Sequence, residues 1–399
     1  MSIRSYLASL KQKLEAGALK PVSFVTGNQS ADLDSVISAI SYSYLANIKN
    51  PSTFIIPLIN IPRNELRLRR DIVGLLGSHS ISDDLLYFTE DFASITKGQS
   101  TDIILVDHCN IQGALLSERL QQGLLKVTAI IDHHADEGVF VDASPRIVHS
   151  NGSCSSLVFN YWFNELANDT AIFRKDPEVV ELLLGPLLID TSNMTQKVEE
   201  GDIQAIKTYK EILQDNGAVT LAKVSEDEDM LTGFYKQLKT NKKDLSGFSF
   251  QDVLLKDYKQ FKFSTGERVG FSSIGKSLKW VLTQFSSEEL KQTLAQSLKT
   301  QGLDLLVITS SYTQKENDQY TREFCYYFED LDNNKFASLD EHAKGPLELN
   351  GDIYKLNKIE DVLAGLSHSN GTFKLYNQAK LSASRKQVVP IVKEIIERS

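Results

Sequence analysis

Val22–Thr26, Thr53–Ile59, Ile103–Asp107 and Val127–Asp132 are short runs rich in β-branched and aromatic residues, and each gives way to polar residues. Too short for helices, they read as strands. Amphipathic stretches separate them, and strands alternating with helical stretches build an α/β fold with a mainly parallel sheet flanked by helices. Ligands of such sheets collect beyond the carboxyl ends of the strands. Three clusters fall there: Asn28 with Asp32 and Asp34, Asp107-His108, and Asp132-His133-His134.

At 399 residues the chain exceeds a typical single domain. Around Gly201–Gly233 it turns helical and charged, with the acidic run Ser225–Asp229, and no His or Asp cluster follows a strand beyond that point. This predicts a first domain over 1–215, a linker at 216–230 and a smaller α/β domain over 231–399. In the smaller domain Arg268–Ile274, Leu303–Thr309 and Glu323–Phe328 read as strands, Ser277–Leu298 as a long helix and Arg385–Arg398 as a terminal helix containing Pro390. Three scattered cysteines, Cys109, Cys154 and Cys325, suggest neither a disulfide framework nor a thiolate zinc site and suit a reducing compartment. The N-terminal stretch lacks the apolar core of a signal peptide and no uncharged run reaches membrane-spanning length, so a cytoplasmic protein with no membrane partner is expected. The net charge of −9 argues against a general nucleic-acid binder. Cation-binding carboxylates contribute to that charge, so a phosphate substrate is compatible with it. So is a monomer.

Asp32 and Asp34 sit two apart in a turn before a helix starting near Ser35, so both carboxylates can point at one place. An aspartate there can also be an N-cap that accepts backbone N–H groups and needs no metal. The other clusters favour a metal. Asp132, His133 and His134 cannot all be buried at one strand end without compensation, and carboxylates with imidazole suit divalent cations. Asp107 ends a separate strand in the same manner, and Asp190, before Thr191-Ser192-Asn193, offers a further carboxylate or a helix or turn cap. Gly152–Ser156 places small residues and free N–H groups before a helical stretch. Arg63, Arg67, Arg69 and Arg70 form a basic stripe, either a solvated face or a track for an anion, outside the core site.

The series N-x-x-x-D-x-D-S, V-D-H, D-H-H, L-I-D-T-S and S-R-K-Q-V-V-P resembles that of the DHH phosphoesterases, in the DHH plus DHHA2 subfamily that holds manganese-type inorganic pyrophosphatases and exopolyphosphatases. The resemblance spans nearly the whole chain, and IPRNELRLRRDIV, GSCSSLVFNYW and LKDYKQFKF are most similar to the fungal exopolyphosphatase branch. It implies a DHH domain, a DHHA2-like substrate domain and an active site in the cleft between them. It implies two divalent cations (magnesium, manganese or cobalt), the first held by Asn28, Asp32 and Asp107 and the second by Asp34, Asp107, His133 and Asp190. Asp107 would bridge them. The pyrophosphatase pattern has histidine where Asn28 stands, and an amide oxygen is a harder ligand that favours magnesium tolerance. His134, Lys259, Arg385, Lys386 and Ser153 are implied as substrate ligands, with Asp107, His134, Arg385 and Lys386 as the residues on which catalysis depends. Arg385 and Lys386 open a segment that soon turns apolar, as a helix N-terminus facing an anion would.

Two cations about 3.5–4 Å apart would lower the pKa of a bridging water, generate hydroxide near neutral pH and clamp a phosphoryl group for in-line displacement. The expected activity is release of terminal orthophosphate from linear inorganic polyphosphate. Four aspartates against two divalent ions leave the core near neutrality, so a polyphosphate needs additional basic groups. A pyrophosphatase is the nearest rival, discriminated by Asn28. A single-strand nuclease should show a basic surface interleaved with aromatics, and no such tract is obvious. A non-catalytic binding or signalling protein on the same scaffold would permit erosion of Asp32, Asp34, Asp107, His133, His134 and Asp190, all of which are intact.

Overall fold

Ile103 and Leu105 pack into one hydrophobic cluster while Ile104 and Val106, alternating with them, pack into another. A strand buried on both faces belongs inside a sheet covered by helices on both sides. The computed structural model, which describes residues 1–18, 22–214, 229–314, 317–329, 335–350, 366 and 371–398, bears this out. The chain divides into two units, Met1–Asp244 and Leu245–Ser399.

The first unit holds β1 (Ser23–Thr26), β2 (Ile55–Ile59), β3 (Tyr87–Phe88), β4 (Thr101–Val106), β5 (Leu125–Asp132) and β6 (Arg146–Val148). They form one sheet in the order β3-β2-β1-β4-β5-β6, and every neighbouring pair is parallel. The chain winds outward from β1 to β3, then returns to the middle and winds outward the other way from β4. Such a reversal opens a crevice at the carboxyl ends of the two central strands. The helix Leu33–Lys49 is buried continuously from Leu33 to Asn47. It lies between the sheet and the helices Cys154–Glu165 and Glu178–Asp190, so the loops at its start are held from two layers.

The division differs from the expected one. Helix Met230–Lys243 packs on helices Arg70–Ser78 and Glu178–Asp190, burying Phe234 and Leu238 in the first unit's core. The second unit therefore begins at Leu245 instead of 231, and the expected linker lies, except for residues 229–230, outside the described residues.

The second unit has β7 (Tyr258–Lys262), β8 (Arg268–Ile274), β9 (Leu305–Thr313), β10 (Tyr320–Glu329), β11 (Leu349–Asn350) and β12 (Gly371–Gln378). Their order is β11-β12-β10-β9-β8-β7, with β8 and β9 parallel and the other pairs antiparallel. Val388, Val392 and Ile396, four apart, face the core from the terminal helix Arg385–Arg398. The expected helix Ser277–Leu298 is two helices, Leu278–Gln284 and Ser287–Gln301. Phe285 is extended between them, and Ser286 accepts from Glu289 N–H at 3.2 Å to cap the second. No described helix is long and apolar enough to cross a membrane.

Candidate metal centre

The crevice between β1 and β4 is where the polar clusters meet. After β1 the chain turns at Gly27, where a Cβ would lie 2.4 Å from that of Ser35. Glycine is needed for the strand end to approach the helix start this closely. Asn28 N–H donates to Ser35 Oγ at 3.0 Å. Asp32 Oδ1 accepts from Ser35 N–H at 3.1 Å, so one oxygen of this residue serves as the N-cap.

Asp107 follows β4 in the left-handed region, φ 61°, which aspartate tolerates better than most residues. Its N–H donates to Ile131 O at 3.0 Å. Its carboxylate takes donors from several elements. Oδ2 accepts from Ser35 Oγ at 2.6 Å and Asn28 Nδ2 at 2.8 Å, and Oδ1 lies 3.1 Å from His133 Nε2. Asp34 Oδ1 accepts from Ser153 Oγ at 3.0 Å and Ser155 N–H at 2.8 Å, and Oδ2 from Cys154 N–H at 2.7 Å. His133 Nε2 is 3.9 Å from Asp34 Oδ2. His133 Nδ1–H donates to the carbonyl of Asn151 at 2.9 Å, which turns Nε2 to the carboxylates. His134 donates to Asp132 Oδ1 from its backbone N–H at 3.1 Å and from Nδ1 at 2.8 Å. Asp132 is fully buried and orients His134.

These groups share one electrostatic environment. Burial would lower the pKa of His133, but its hydrogen bond to Asp107 and the charges of Asp34, Asp107 and Asp190 raise it to about 10. Burial and the Asp107 charge raise Asp34 to about 7. Burial opposes ionisation of Asp107, yet His133, His134 and Ser35 hold it well below the usual carboxylate range. Asp190, at the end of helix Glu178–Asp190, is pushed well above that range by burial and then by Asp34. Its Oδ2 is buried with no hydrogen-bond partner among the described residues. A buried set of oxygen and imidazole donors with an orphaned carboxylate oxygen and excess negative charge fits a divalent cation. Among the described residues, ligand atoms of Asp107, His133 and His134 lie within 4.8 Å of one another, which places His134 with the candidate ligands as well.

One expected role looks different in the structure, and a second residue carries further contacts beside its expected role. Ser153 is fully buried and spends its hydroxyl on Asp34, so it positions a ligand and does not face a substrate. Asn28 accepts from Ser30 N–H through Oδ1 at 2.8 Å and donates to Asp107 through Nδ2, so its amide already has a place in the hydrogen-bond network. Ser35, given no role by the sequence, holds Asp107, and Asp132, read there within the metal-favouring cluster, instead orients His134. The basic stripe is divided: Arg69 is buried and donates to Ser30 O at 2.9 Å, while Arg63 and Arg70 pair with Asp91 and Asp244. In the second unit Arg385 is half-buried, Lys386 is exposed beside it, and Lys259 lies on β7.

Residues 23–185 match the DHH family, N-terminal domain, and residues 236–395 match the DHHA2 domain. A Schizosaccharomyces pombe protein named "Putative exopolyphosphatase" is 33% identical over 94% of this chain and 91% of its own. "Exopolyphosphatase PRUNE1" of Mus musculus is 25% identical over 99% of this chain and 79% of its own. A solved structure described as a "putative family II inorganic pyrophosphatase" of Methanococcus jannaschii superposes with TM-score 0.56 at 18% identity, covering 94% of this chain and 100% of that one. That likeness shows the fold.

Proposed function

The chain belongs to the DHH family, with a DHHA2 domain following its DHH domain, and from that premise we propose that it is a metal-dependent exopolyphosphatase releasing terminal orthophosphate from linear inorganic polyphosphate. The observation that carries this is the convergence of the buried Asp34 and Asp107 with the partly exposed His133 and Asp190 on one crevice, a negative cluster that a cation completes.

Asn28, Asp32 and Asp107 would hold one divalent ion and Asp34, Asp107, His133 and Asp190 a second, with magnesium, manganese and cobalt as candidates. Bound cations supply Lewis acidity, lowering the pKa of water and neutralising charge on a transferring phosphoryl group. The protein's own groups do the rest. Ser35 and Asn28 fix the Asp107 carboxylate from one side, and Asn151 fixes His133 from the other. His134, held by Asp132 through Nδ1, can turn Nε2 toward the substrate or the leaving phosphate. Arg385, Lys386 and Lys259 are proposed as phosphate ligands. Polyphosphate is the partner, in place of nucleic acid or membrane, and the buried, unbridged Cys109, Cys154 and Cys325 support a cytoplasmic setting.

The test is phosphate release from polyphosphate, pyrophosphate and a nucleoside triphosphate, with magnesium and after chelation. Preferred turnover of polyphosphate, abolished by chelation and restored by metal, is expected. Preference for pyrophosphate would select the pyrophosphatase reading, and full activity in metal-stripped protein would reject both.

A further inference from the structure

One fully buried carboxylate, that of Asp202 in the first turn of helix Glu200–Gln214, stands outside every role assigned above. Five donors converge on it. Oδ1 accepts from Asn151 Nδ2 at 2.7 Å, Ser156 Oγ at 2.5 Å and Ser153 N–H at 3.3 Å, while Oδ2 accepts from Gly152 N–H at 2.7 Å and Glu199 N–H at 2.9 Å. Four of the five belong to Asn151–Ser156. At Gly152 a Cβ would come within 2.5 Å of Asp202 Oδ2 and 2.7 Å of Lys197 O, so that segment closes on the carboxylate as only glycine permits.

The same segment makes two contacts with the candidate metal ligands. The Asn151 carbonyl takes the Nδ1 proton of His133, and Ser153 Oγ with the N–H groups of Cys154 and Ser155 holds Asp34. Asp202 touches neither ligand, yet each is held by a segment that it fixes. A buried carboxylate with this many charge-assisted hydrogen bonds is a stiff anchor, and partners that orient metal ligands govern affinity nearly as the ligands do.

We infer that Asp202 is a positioning residue of the metal centre, holding Asn151–Ser156 so that His133 keeps its Nδ1–H on the Asn151 carbonyl and Asp34 its orientation. This rests on the metal reading of the site. Asparagine at 202 is the sharp probe, because it is isosteric. One of its two edges, however, would turn an NH2 group towards N–H or hydroxyl donors that the carboxylate now accepts.

The experiment measures Asp202→Asn and wild type as metal-free and manganese-titrated protein. Circular dichroism checks folding, the His133 Nδ1–H resonance and its 15N shift in the metal-free protein read the hydrogen bond to the Asn151 carbonyl, and calorimetry reads manganese affinity. A folded Asp202→Asn protein that has lost the His133 Nδ1–H signature and binds manganese about 10- to 100-fold more weakly is expected, the range for partners of metal ligands. An unchanged His133 Nδ1–H signature and unchanged affinity in the folded variant would overturn the inference. Should Asp202→Asn fail to fold, Asn151→Ala carries the same reading. It removes the segment's side-chain tie and keeps the carbonyl that meets His133, so weaker manganese binding with an altered His133 signature supports the inference, and neither change rejects it. Wild-type protein that binds no divalent cation would instead reject the metal reading, and the Nδ1–H signal would still report on what Asp202 does to His133.

Discussion

Asp257 takes both terminal nitrogens of Arg385, Nη1 on its backbone carbonyl at 2.8 Å and Nη2 on its carboxylate at 2.7 Å. The guanidinium is thus held in one plane from the side of β7, whose Lys259 follows two residues later. A fork fixed in advance loses less entropy when it meets a phosphate.

Alanine at both Arg385 and Lys386 is expected to lower kcat/KM for polyphosphate by on the order of 10²-fold, the scale of removing charge-stabilising contacts to a phosphoryl group. Arg385→Lys should recover part of it, since an ammonium keeps the charge without the planar fork. Steady-state kinetics beside a calorimetric metal titration check this. Near-normal kinetics would place the pair on a solvated face, and lost metal binding would make the effect structural.

Asp107→Ala is expected to lose far more than tenfold in turnover, a deficit above about 1.4 kcal/mol, because this carboxylate meets His133 on one oxygen and Ser35 and Asn28 on the other. Folding should survive, as judged by circular dichroism. Turnover above a tenth of wild type would rule out a bridging role.

Asn28→His should shift the metal-activity profile toward manganese or cobalt, which imidazole suits better than magnesium. It also removes the amide donor to Asp107 Oδ2. Activity compared across the three metals decides the point, and an unchanged profile would remove Asn28 from the ligand set.

The metal-free protein should lose stability as pH rises. A group whose folded pKa lies above its unfolded value binds more protons when folded, so its contribution fades between the two values. For His133 that window runs from 6.5 to about 10, and for Asp34 from 3.8 to about 7. Thermal melts in chelator should therefore show Tm falling from pH 6.5 to 10. Saturating metal should flatten the slope, because it binds the deprotonated forms. A flat profile in chelator would mean that His133 does not carry a proton beside Asp107.

The parallel sheet was legible because β1, β2, β4 and β5 are apolar runs, and polar clusters follow three of them, β1, β4 and β5. The two-residue β3 and three-residue β6 are too short to show a period, and β7, with the half-buried residues Tyr258–Phe261, has no clean alternation. Within the site, the motifs named the residues that converge, but they could not tell which side chain faces which. Ser153 reads as a helix cap with a free hydroxyl until Asp34 is seen against it. Asp202 reads as an acid compensating a helix N-terminus. Its burial comes from Asn151–Ser156, which is distant in sequence, so no local pattern could reveal it.

The order β3-β2-β1-β4-β5-β6 also bears on kinetics. The crevice exists only where β4 docks on β1, two strands separated in sequence by β2 and β3, and its walls are complete only with helix Glu178–Asp190, which brings in Asp190. Contacts this distant in sequence close late in folding. A cation that needs them all has little to grip in the transition state, so its binding should act on escape from the native state: unfolding slows with metal while refolding keeps its pace.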